Sequence, residues 1–216
     1  MMHTNNNRTN TAAEEYYTDS VIIKQFIETV QTAMVHTEEP AELVEQLKPA
    51  FGKLLQSDGW LPEPFAQPYT AGGMGGGIGQ YLLYRAADRA LTLFSLVVPV
   101  GSATPIHDHL AWGLVGLYCG EQREEVYRLD KRNFEDGMAQ LAVTAVHTLH
   151  SGEFYALLPP EGDIHRVQTT STEPSISIHL LGNDAGCTLR HRFELETNCV
   201  AAFRSGYSNQ PCIEEE

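Results

Sequence analysis

The first apolar pattern along the chain has a repeat of about 3.6 residues, the period of an amphipathic helix. From Ser20 the apolar residues recur at three- and four-residue steps, which predicts a helix over 20–36 with Ser20 or the preceding aspartate as N-cap. A second helix is expected after Thr37, with Pro40 near its first positions. Pro49 is expected to bend or break that helix, because proline removes a backbone donor and clashes with the preceding turn.

Beyond residue 78 the apolar period changes from 3.6 to two. A proline- and glycine-rich connection, WLPEPFAQPYTAGGMGGG, precedes the change. The candidate strands that follow are IGQYLLYRA, LTLFSLVVPV, AWGLVGLYCG, EEVYRL, QLAVTAVHTL, EFYALLP, HRVQT, SISIHLL and TLRHRFELE. Short strands separated by turn residues are typical of an all-β barrel or sandwich, so we expect a small helical segment ahead of a β-barrel.

The length of 216 residues fits one domain with its own hydrophobic core. We expect a disordered tail over 1–18 and a single domain over 19–205. Within that domain the helices occupy 19–56 and the barrel 78–196, and a flexible tail over 206–216 follows.

Composition and charge narrow the classes of partner. No apolar run reaches the roughly 18 residues that a membrane span needs, and the polar N-terminus lacks the features of a signal peptide, so a cytoplasmic location and no membrane partner are expected. The formal net charge of -14 repels phosphate backbones, which argues against nucleic acid as a partner.

Four cysteines are widely spaced and form no CxxC pair. This spacing suggests neither a disulfide framework nor a zinc ribbon, so we expect all four to be reduced and without a structural role. They are Cys119, Cys187, Cys199 and Cys212.

Two histidines, His107 and His109, are separated by one residue in the run IHDHL. Alternate side chains of a strand lie on the same face, so both imidazoles can reach one metal ion while Asp108 points away. Taken alone, this spacing fits a surface or structural pair as well as a pair of ligands.

The surrounding residues resemble the two motifs of the cupin superfamily. GSATPIHDHLAWGLVGLYCG at 101–120 resembles the first motif, and PEGDIH at 160–165 resembles the second. The resemblance implies an all-β cupin (double-stranded β-helix, or jelly-roll, barrel) that binds a metal. A glutamate ligand common in cupins would fall at Gly113 or Leu114, where none is present. The ligands that the resemblance implies are His107, His109 and His165.

A narrower resemblance runs from about Asp58 to Phe193. TPIHDHLAWGLVGLYCGE, GDIHRV and SISIHLLG are similar to the bacterial branch of the thiol dioxygenases, the cysteine dioxygenase and 3-mercaptopropionate dioxygenase family. This resemblance implies a mononuclear Fe(2+) enzyme that binds a small thiol through sulfur and adds both atoms of O2 to give a sulfinate.

The same resemblance assigns residues outside the metal ligands. Ser177 and His179 match the first two members of an outer-sphere Ser-His-Tyr relay, but Leu181 stands where the tyrosine is expected. The alternative for the pair is a strand interior that happens to hold polar residues. The alternative sources of the phenol are Tyr81, Tyr84, Tyr118 and Tyr155.

Two further residues bear on the substrate. Gln80 occupies the place where cysteine-specific members carry an arginine and the mercaptopropionate branch carries glutamine. Arg190 matches a downstream arginine of the bacterial branch that would grip a carboxylate in a bidentate manner; the alternative is an exposed arginine on a terminal strand.

These observations favour an iron(II) thiol dioxygenase whose partners are O2 and a small carboxylate-bearing thiol, 3-mercaptopropionate-like rather than cysteine. One alternative is a three-histidine cupin enzyme of another reaction, such as carbon-carbon cleavage by O2 or a lyase step, and Leu181 is its main support. The other alternative is a non-catalytic cupin that binds a small molecule. The oligomeric state is not predicted by the sequence.

Overall fold

The computed structural model describes residues 13–71 and 74–212, and it confirms the two predicted helices. Helix α1 spans Val21–His36 and α2 spans Pro40–Gln56. Ser20 is the N-cap of α1, since its hydroxyl accepts a hydrogen bond from the third residue of the helix.

Pro49 does not break α2, contrary to the expectation from sequence. The proline ring lies on the exposed face of the helix, whereas Leu47 and Phe51 on either side of it are buried. Burial of the apolar residues on the opposite face offsets the missing backbone hydrogen bond, so the helix continues to Gln56.

In addition to the helices, the described residues form twelve strands. They are β1 Glu15–Tyr16, β2 Gly79–Arg85, β3 Thr92–Val98, β4 Ile106–His107, β5 Gly113–Cys119, β6 Glu121–Asn133, β7 Met138–His150, β8 Phe154–Leu157, β9 Ile164–Thr169, β10 Ser175–Leu181, β11 Arg190–Glu194 and β12 Cys199–Phe203. Six strands form one sheet in the order β1-β2-β3-β10-β5-β8, and the other six close on one another in the order β11-β12-β7-β6-β9-β4. The expected all-β barrel with a short helical segment is confirmed, and β12 extends it beyond the predicted end at residue 196.

The alternation of side chains along β10 places two different cores on its two faces. Ile178 and Leu180 pack with the helices outside the barrel. Leu181 packs instead with Phe94 and Val115 in a second cluster that also contains Val167 of the opposite sheet. Residues of odd number on β10 therefore face the interior between the sheets.

The predicted N-terminal tail is partly ordered. Glu15 and Tyr16 pair with β2, and the Glu15 carboxylate accepts a hydrogen bond from Arg85 at 2.7 Å. The prediction of disorder is therefore wrong for residues 13–18, because backbone pairing and this ion pair hold them; residues 1–12 lie outside the described residues.

The predicted C-terminal tail is also held against the barrel. The Ser208 backbone donates to the Gln80 carbonyl at 2.6 Å, and the Ser208 hydroxyl accepts from the Gln80 backbone at 3.0 Å. Flexibility is therefore the wrong expectation for 206–212, whereas residues 213–216 lie outside the described part of the chain.

Cys187 and Cys212 form a disulfide, so the expectation of reduced cysteines is wrong for this pair. Sequence spacing could not reveal it, because the two residues meet only when the C-terminal segment packs on the barrel. Cys119 and Cys199 are free and exposed, as expected. Disulfides are rare in cytosolic proteins, so the pair weighs against the cytoplasmic location expected from sequence.

Among the described residues, no helix is both long enough and apolar enough to cross a membrane.

Removing the disulfide is expected to destabilise the protein, because the unfolded chain then gains conformational entropy. The bond closes a loop with a sequence separation of 25 residues. For a loop of this length, Cys212→Ser should lower the free energy of unfolding by about 3 kcal/mol, measured by urea denaturation. Cys199→Ser, which removes an exposed free thiol, is the matched control and should leave it within about 0.5 kcal/mol. Equal stabilities of the two variants would contradict a role for the disulfide.

Candidate metal centre

Three histidines meet in the interior of the barrel. His107 ends β4 and pairs in register with His165 of β9, while His109 lies just beyond the end of β4. Their ring centroids are 4.7 to 4.9 Å apart, and one nitrogen from each ring lies within 4.8 Å of the other two. None of the three side chains is more than 2% exposed, so the cluster predicted from the two motifs is assembled and buried.

Asp108, between the first two histidines, points away from the cluster as predicted. Its carboxylate accepts a hydrogen bond from the His191 backbone at 2.7 Å and lies 2.7 Å from the His191 ring nitrogen Nδ1. This contact fixes the backbone that carries His107 and His109.

The Nδ1 atom of each cluster histidine faces an oxygen of the protein. Nδ1 of His107 lies 2.9 Å from the Pro105 carbonyl, and Nδ1 of His109 lies 3.0 Å from the Asp163 carbonyl. Nδ1 of His165 lies 2.7 Å from a carboxylate oxygen of Glu124.

These contacts assign the ring proton to Nδ1 and leave Nε2 as the free ligand atom. Consistent with this assignment, His165 Nε2 is buried without any hydrogen-bond partner. Three imidazole nitrogens that lie within 4.8 Å of one another are a ligand set that fits a first-row divalent metal.

Burial favours the neutral form of His107 and His109. Burial lowers the pKa of His107 well below its usual value, and the nearby Arg190 charge and the other histidines act in the same direction. Burial likewise lowers the pKa of His109, although its hydrogen bond to Asp163 opposes the change. Burial raises the pKa of Asp163, but the hydrogen bonds from His109 outweigh it and the net pKa is lowered. Imidazoles whose Nδ1 atoms face oxygens of the protein are suited to hold a cation through their other nitrogen.

The missing fourth ligand has a packing reason. Gly113 pairs in register with Leu181, and a Cβ atom at Gly113 would lie 2.3 Å from Leu181 Cδ2 and 2.4 Å from the Leu180 carbonyl oxygen. A glutamate cannot occupy this position without displacing the backbone of β10. Leu114, the other candidate position, packs against the helices outside the barrel.

The predicted outer-sphere pair is formed. Ser177 Oγ lies 2.9 Å from His179 Nε2, and both residues are buried on the interior face of β10. The His179 ring stacks on Phe94 with a centroid distance of 4.6 Å, and its Nδ1 has no partner. Burial lowers the pKa of His179 well below its usual value, with His109 and His165 contributing further. His179 is therefore a neutral imidazole close to the cluster.

None of the four candidate tyrosines replaces the missing phenol beside His179. The Tyr81 hydroxyl donates to a backbone carbonyl in the connection before β2, and the Tyr84 hydroxyl accepts a hydrogen bond from Gln31 of α1. Tyr118 packs on Trp60. Only Tyr155 reaches the cluster, where its hydroxyl lies 3.0 Å from His165 Nδ1, on the side away from the free Nε2. The wall formed by Leu181 is apolar and fully buried.

Gln80 faces the same interior. It lies in register with Leu96 of β3, which also pairs with Ser177, so the three side chains share one face of the sheet. Its side-chain nitrogen Nε2 is buried and has no partner. An unpartnered buried amide costs free energy, which indicates a place for a polar ligand group.

Arg190 is 2% exposed, so the alternative of an exposed arginine is wrong. Its guanidinium donates to the Asp108 carbonyl at 2.7 Å and to the Ser205 hydroxyl at 2.9 Å, and it packs on the Phe203 ring at 4.7 Å. Burial lowers the pKa of Arg190 to about 10, so it remains charged at neutral pH. These bonds tie Arg190 to the HxH segment and occupy two of the donors expected to grip a carboxylate.

Sequence reasoning missed the residues that support the three histidines. Asp163 stands two positions before His165 in the second motif, and that position was a signal that could have identified it. Glu124 and Tyr155 carried no such signal, because they reach His165 from β6 and β8 and their spacing in the chain has no meaning before the strands pair.

No protein-family model matches the chain. Solved structures that resemble it include an oxalate oxidase (14% identity, TM-score 0.33, covering 44% of this chain and 43% of that one). Others are the Schizosaccharomyces pombe Cnp3 cupin domain (10%, 0.37, 50% and 65%) and a mutant of Bacillus subtilis oxalate decarboxylase OxdC (15%, 0.33, 45% and 22%). The matched part is half or less of the oxalate oxidase chains, at 43 to 50%. Structures with this little sequence identity and these TM-scores show nothing about the activity of this chain.

Replacing one cluster histidine should abolish tight metal binding. His165→Ala is expected to weaken Co(II) or anaerobic Fe(II) binding by more than about 100-fold, beyond what loss of an outer-shell partner causes. Competition with a metal-sensitive dye measures the affinity. His150→Ala, at an exposed histidine of β7, should bind like the unmodified protein. Tight binding retained by His165→Ala would rule out the cluster as the metal site.

The buried neutral histidines should make the metal-free protein sensitive to acid. The pKa values of His107, His109 and His179 are lower in the folded state than the usual 6.5, so the unfolded chain binds more protons below that pH. The free energy of unfolding should therefore fall as the pH drops below 6.5, by up to about 1.4 kcal/mol per pH unit for each histidine. Urea denaturation over this range measures it; a stability that is flat or rises towards acid would contradict the assignment.

Proposed function

We propose that the protein is a non-haem iron(II) thiol dioxygenase that oxidises a small carboxylate-bearing thiol, 3-mercaptopropionate-like rather than cysteine, to its sulfinate with O2. The observation that carries the proposal is a buried cluster of three imidazoles, with no carboxylate ligand among the described residues. The cluster faces an interior that holds an unpartnered amide and a Ser-His pair.

The metal would be held by Nε2 of the three cluster histidines. Bound there, iron(II) would supply the redox chemistry that joins a thiolate sulfur to O2. The thiol RSH and O2 together give RSO2H, so both oxygen atoms end on sulfur and no external reductant is needed. The protein has to orient the thiol, exclude water and manage the thiol proton.

Gln80 and His179 are the residues proposed to orient the substrate. Gln80 Nε2 is a buried donor without a partner, and it suits a carboxylate oxygen of the thiol acid. His179 Nδ1 is also free, while Ser177 holds the opposite ring nitrogen at 2.9 Å. The neutral His179 ring can accept the thiol proton or donate a hydrogen bond to the substrate, according to its tautomer.

The rest of the interior excludes water. Phe94, Val115, Leu157 and Leu181 form an apolar wall between the sheets. Such a wall strengthens the few polar contacts that a substrate makes, since the local dielectric is low. Arg190 contributes positive charge near the histidines while its bonds to Asp108 and Ser205 keep it in place.

Leu181 also favours a second candidate, a three-histidine cupin enzyme that catalyses another reaction of a carboxylate substrate, either carbon-carbon cleavage by O2 or a lyase step. The fully buried leucine removes the phenol of the thiol dioxygenase relay, and no described tyrosine among the four candidates takes its place. The two candidates differ in whether sulfur is oxidised.

The deciding experiment loads the protein anaerobically with iron(II), adds a panel of thiols, and follows O2 uptake together with product mass. One O2 consumed per sulfinate formed supports the thiol dioxygenase. Turnover of a carboxylate substrate without sulfur oxidation supports the second candidate. The His165→Ala variant, treated in the same way, controls for oxidation by free iron.

Gln80→Ala should weaken the binding of carboxylate thiols specifically. Losing a hydrogen bond to a charged group costs about 1.5 to 3 kcal/mol, so KM for 3-mercaptopropionate should rise by roughly 10- to 100-fold. KM for 2-mercaptoethanol, which has no carboxylate, should not change. Gln67→Ala, at an exposed glutamine, is the matched control. Equal changes of KM for both thiols would argue against Gln80 as the carboxylate partner.

A further inference from the structure

Two polar side chains that the proposed reaction does not use lie on the side of His165 that faces away from the other two histidines. Glu124 of β6 is 1% exposed, and its Oε1 lies 2.7 Å from His165 Nδ1. Tyr155 of β8 reaches the same nitrogen, with its hydroxyl at 3.0 Å. A carboxylate, a phenol and an imidazole thus meet in one buried contact.

The donors and acceptors of this contact admit one consistent arrangement. A neutral imidazole has one N–H, a phenol has one O–H, and the Glu124 carboxylate only accepts. With the proton on Nδ1, His165 donates to Glu124, the Tyr155 hydroxyl also donates to this carboxylate, and Nε2 presents its lone pair to the cluster. With the proton on Nε2, the Nδ1 lone pair would face a carboxylate oxygen at 2.7 Å, which is repulsive.

His165 differs in this respect from the other two histidines. Nδ1 of His107 and Nδ1 of His109 each face a backbone carbonyl, which no substitution of a side chain removes. Only in His165 is the closest partner of Nδ1 a carboxylate side chain, because the Asp163 carboxylate lies farther from His109 Nδ1, at 3.5 Å.

We propose that Glu124 is a positioning residue that fixes the Nδ1-protonated tautomer of His165, and that Tyr155 holds the Glu124 carboxylate in place. This rests on the proposed function only in requiring the three histidines to bind a metal. It assigns to Glu124 no contact with substrate and to Tyr155 no role as the missing relay phenol.

A cavity of about 430 Å³ adjoins the contact of Glu124 and Tyr155 with His165, and none of the three cluster histidines lines it. Glu124, Tyr155, His147 and Gly162 are among the residues that line it. It lies between β7 and β8, so a small anion from solvent can reach the position of the Glu124 carboxylate if that side chain is shortened.

The first test compares Glu124→Gln with Glu125→Gln. Glu125 is the next residue of β6, and its carboxylate bonds to Tyr127 and Arg123 rather than to a histidine. The amide of Glu124→Gln can donate to Nδ1, so His165 should move towards the Nε2-protonated tautomer, seen in the 15N NMR spectrum of the metal-free protein at neutral pH. Co(II) affinity should fall by about 10- to 100-fold, the usual cost of an outer-shell substitution. Glu125→Gln should change neither.

Tyr155→Phe separates the two parts of the proposal. It keeps the carboxylate and removes only the phenol, so the Nδ1 tautomer should persist while Co(II) affinity falls by less than in Glu124→Gln. A tautomer change in Tyr155→Phe as large as in Glu124→Gln would overturn the division of roles between the two residues.

The second test is chemical rescue. In Glu124→Ala, formate should enter the cavity and restore both the Nδ1 tautomer and Co(II) affinity, whereas chloride at equal ionic strength should not. Rescue by formate also demonstrates that the barrel of the variant is intact. If Glu124→Ala does not fold, the isosteric Glu124→Gln variant decides.

An unchanged tautomer and affinity in Glu124→Gln would overturn the proposal. A protein that has the Nδ1 tautomer and loses affinity in Glu124→Gln, but oxidises no thiol, would instead contradict the proposed function and leave this assignment standing.

Discussion

The site depends on keeping three imidazoles neutral, buried and aimed with the same nitrogen inward. Burial favours the neutral form of His107 and His109, and an oxygen facing each Nδ1 selects the tautomer. A buried imidazole without such a partner would be free to rotate or to change tautomer, and the three lone pairs would not converge. The loop before β4 and the strand β6 are placed so that these oxygens are available.

Close packing between neighbouring strands limits what else the site can contain. Gly113 and Leu181 face each other in the pairing of β5 with β10, and there is no room between them for an added side chain. The absence of a carboxylate ligand at position 113 therefore follows from this contact and from the backbone of β10. A glutamate at 113 requires a smaller residue at 181 and a shift of the β10 backbone.

Residues 205–212 of the C-terminal segment pack on the barrel. Arg190, close to the histidines, bonds to Ser205, and Gln80 shares backbone hydrogen bonds with Ser208. The disulfide at Cys212 ties this segment to the loop between β10 and β11. Gln80, which is proposed to act near the substrate, is thus supported by a segment that the sequence predicted to be a flexible tail.

Local patterns in the sequence were enough to predict the two helices and most of the strands, because these features depend on hydrophobic period. The three histidines came from the resemblance to known motifs: strand alternation alone left the HxH pair undecided, and in the structure β4 ends at His107. Only the tertiary structure decided which groups stand behind the ligands: Glu124 and Tyr155 meet His165 across three strands, and Arg190 is buried because β12 covers it. Such contacts arise from strand pairing over long separations, where spacing in the chain no longer reports proximity.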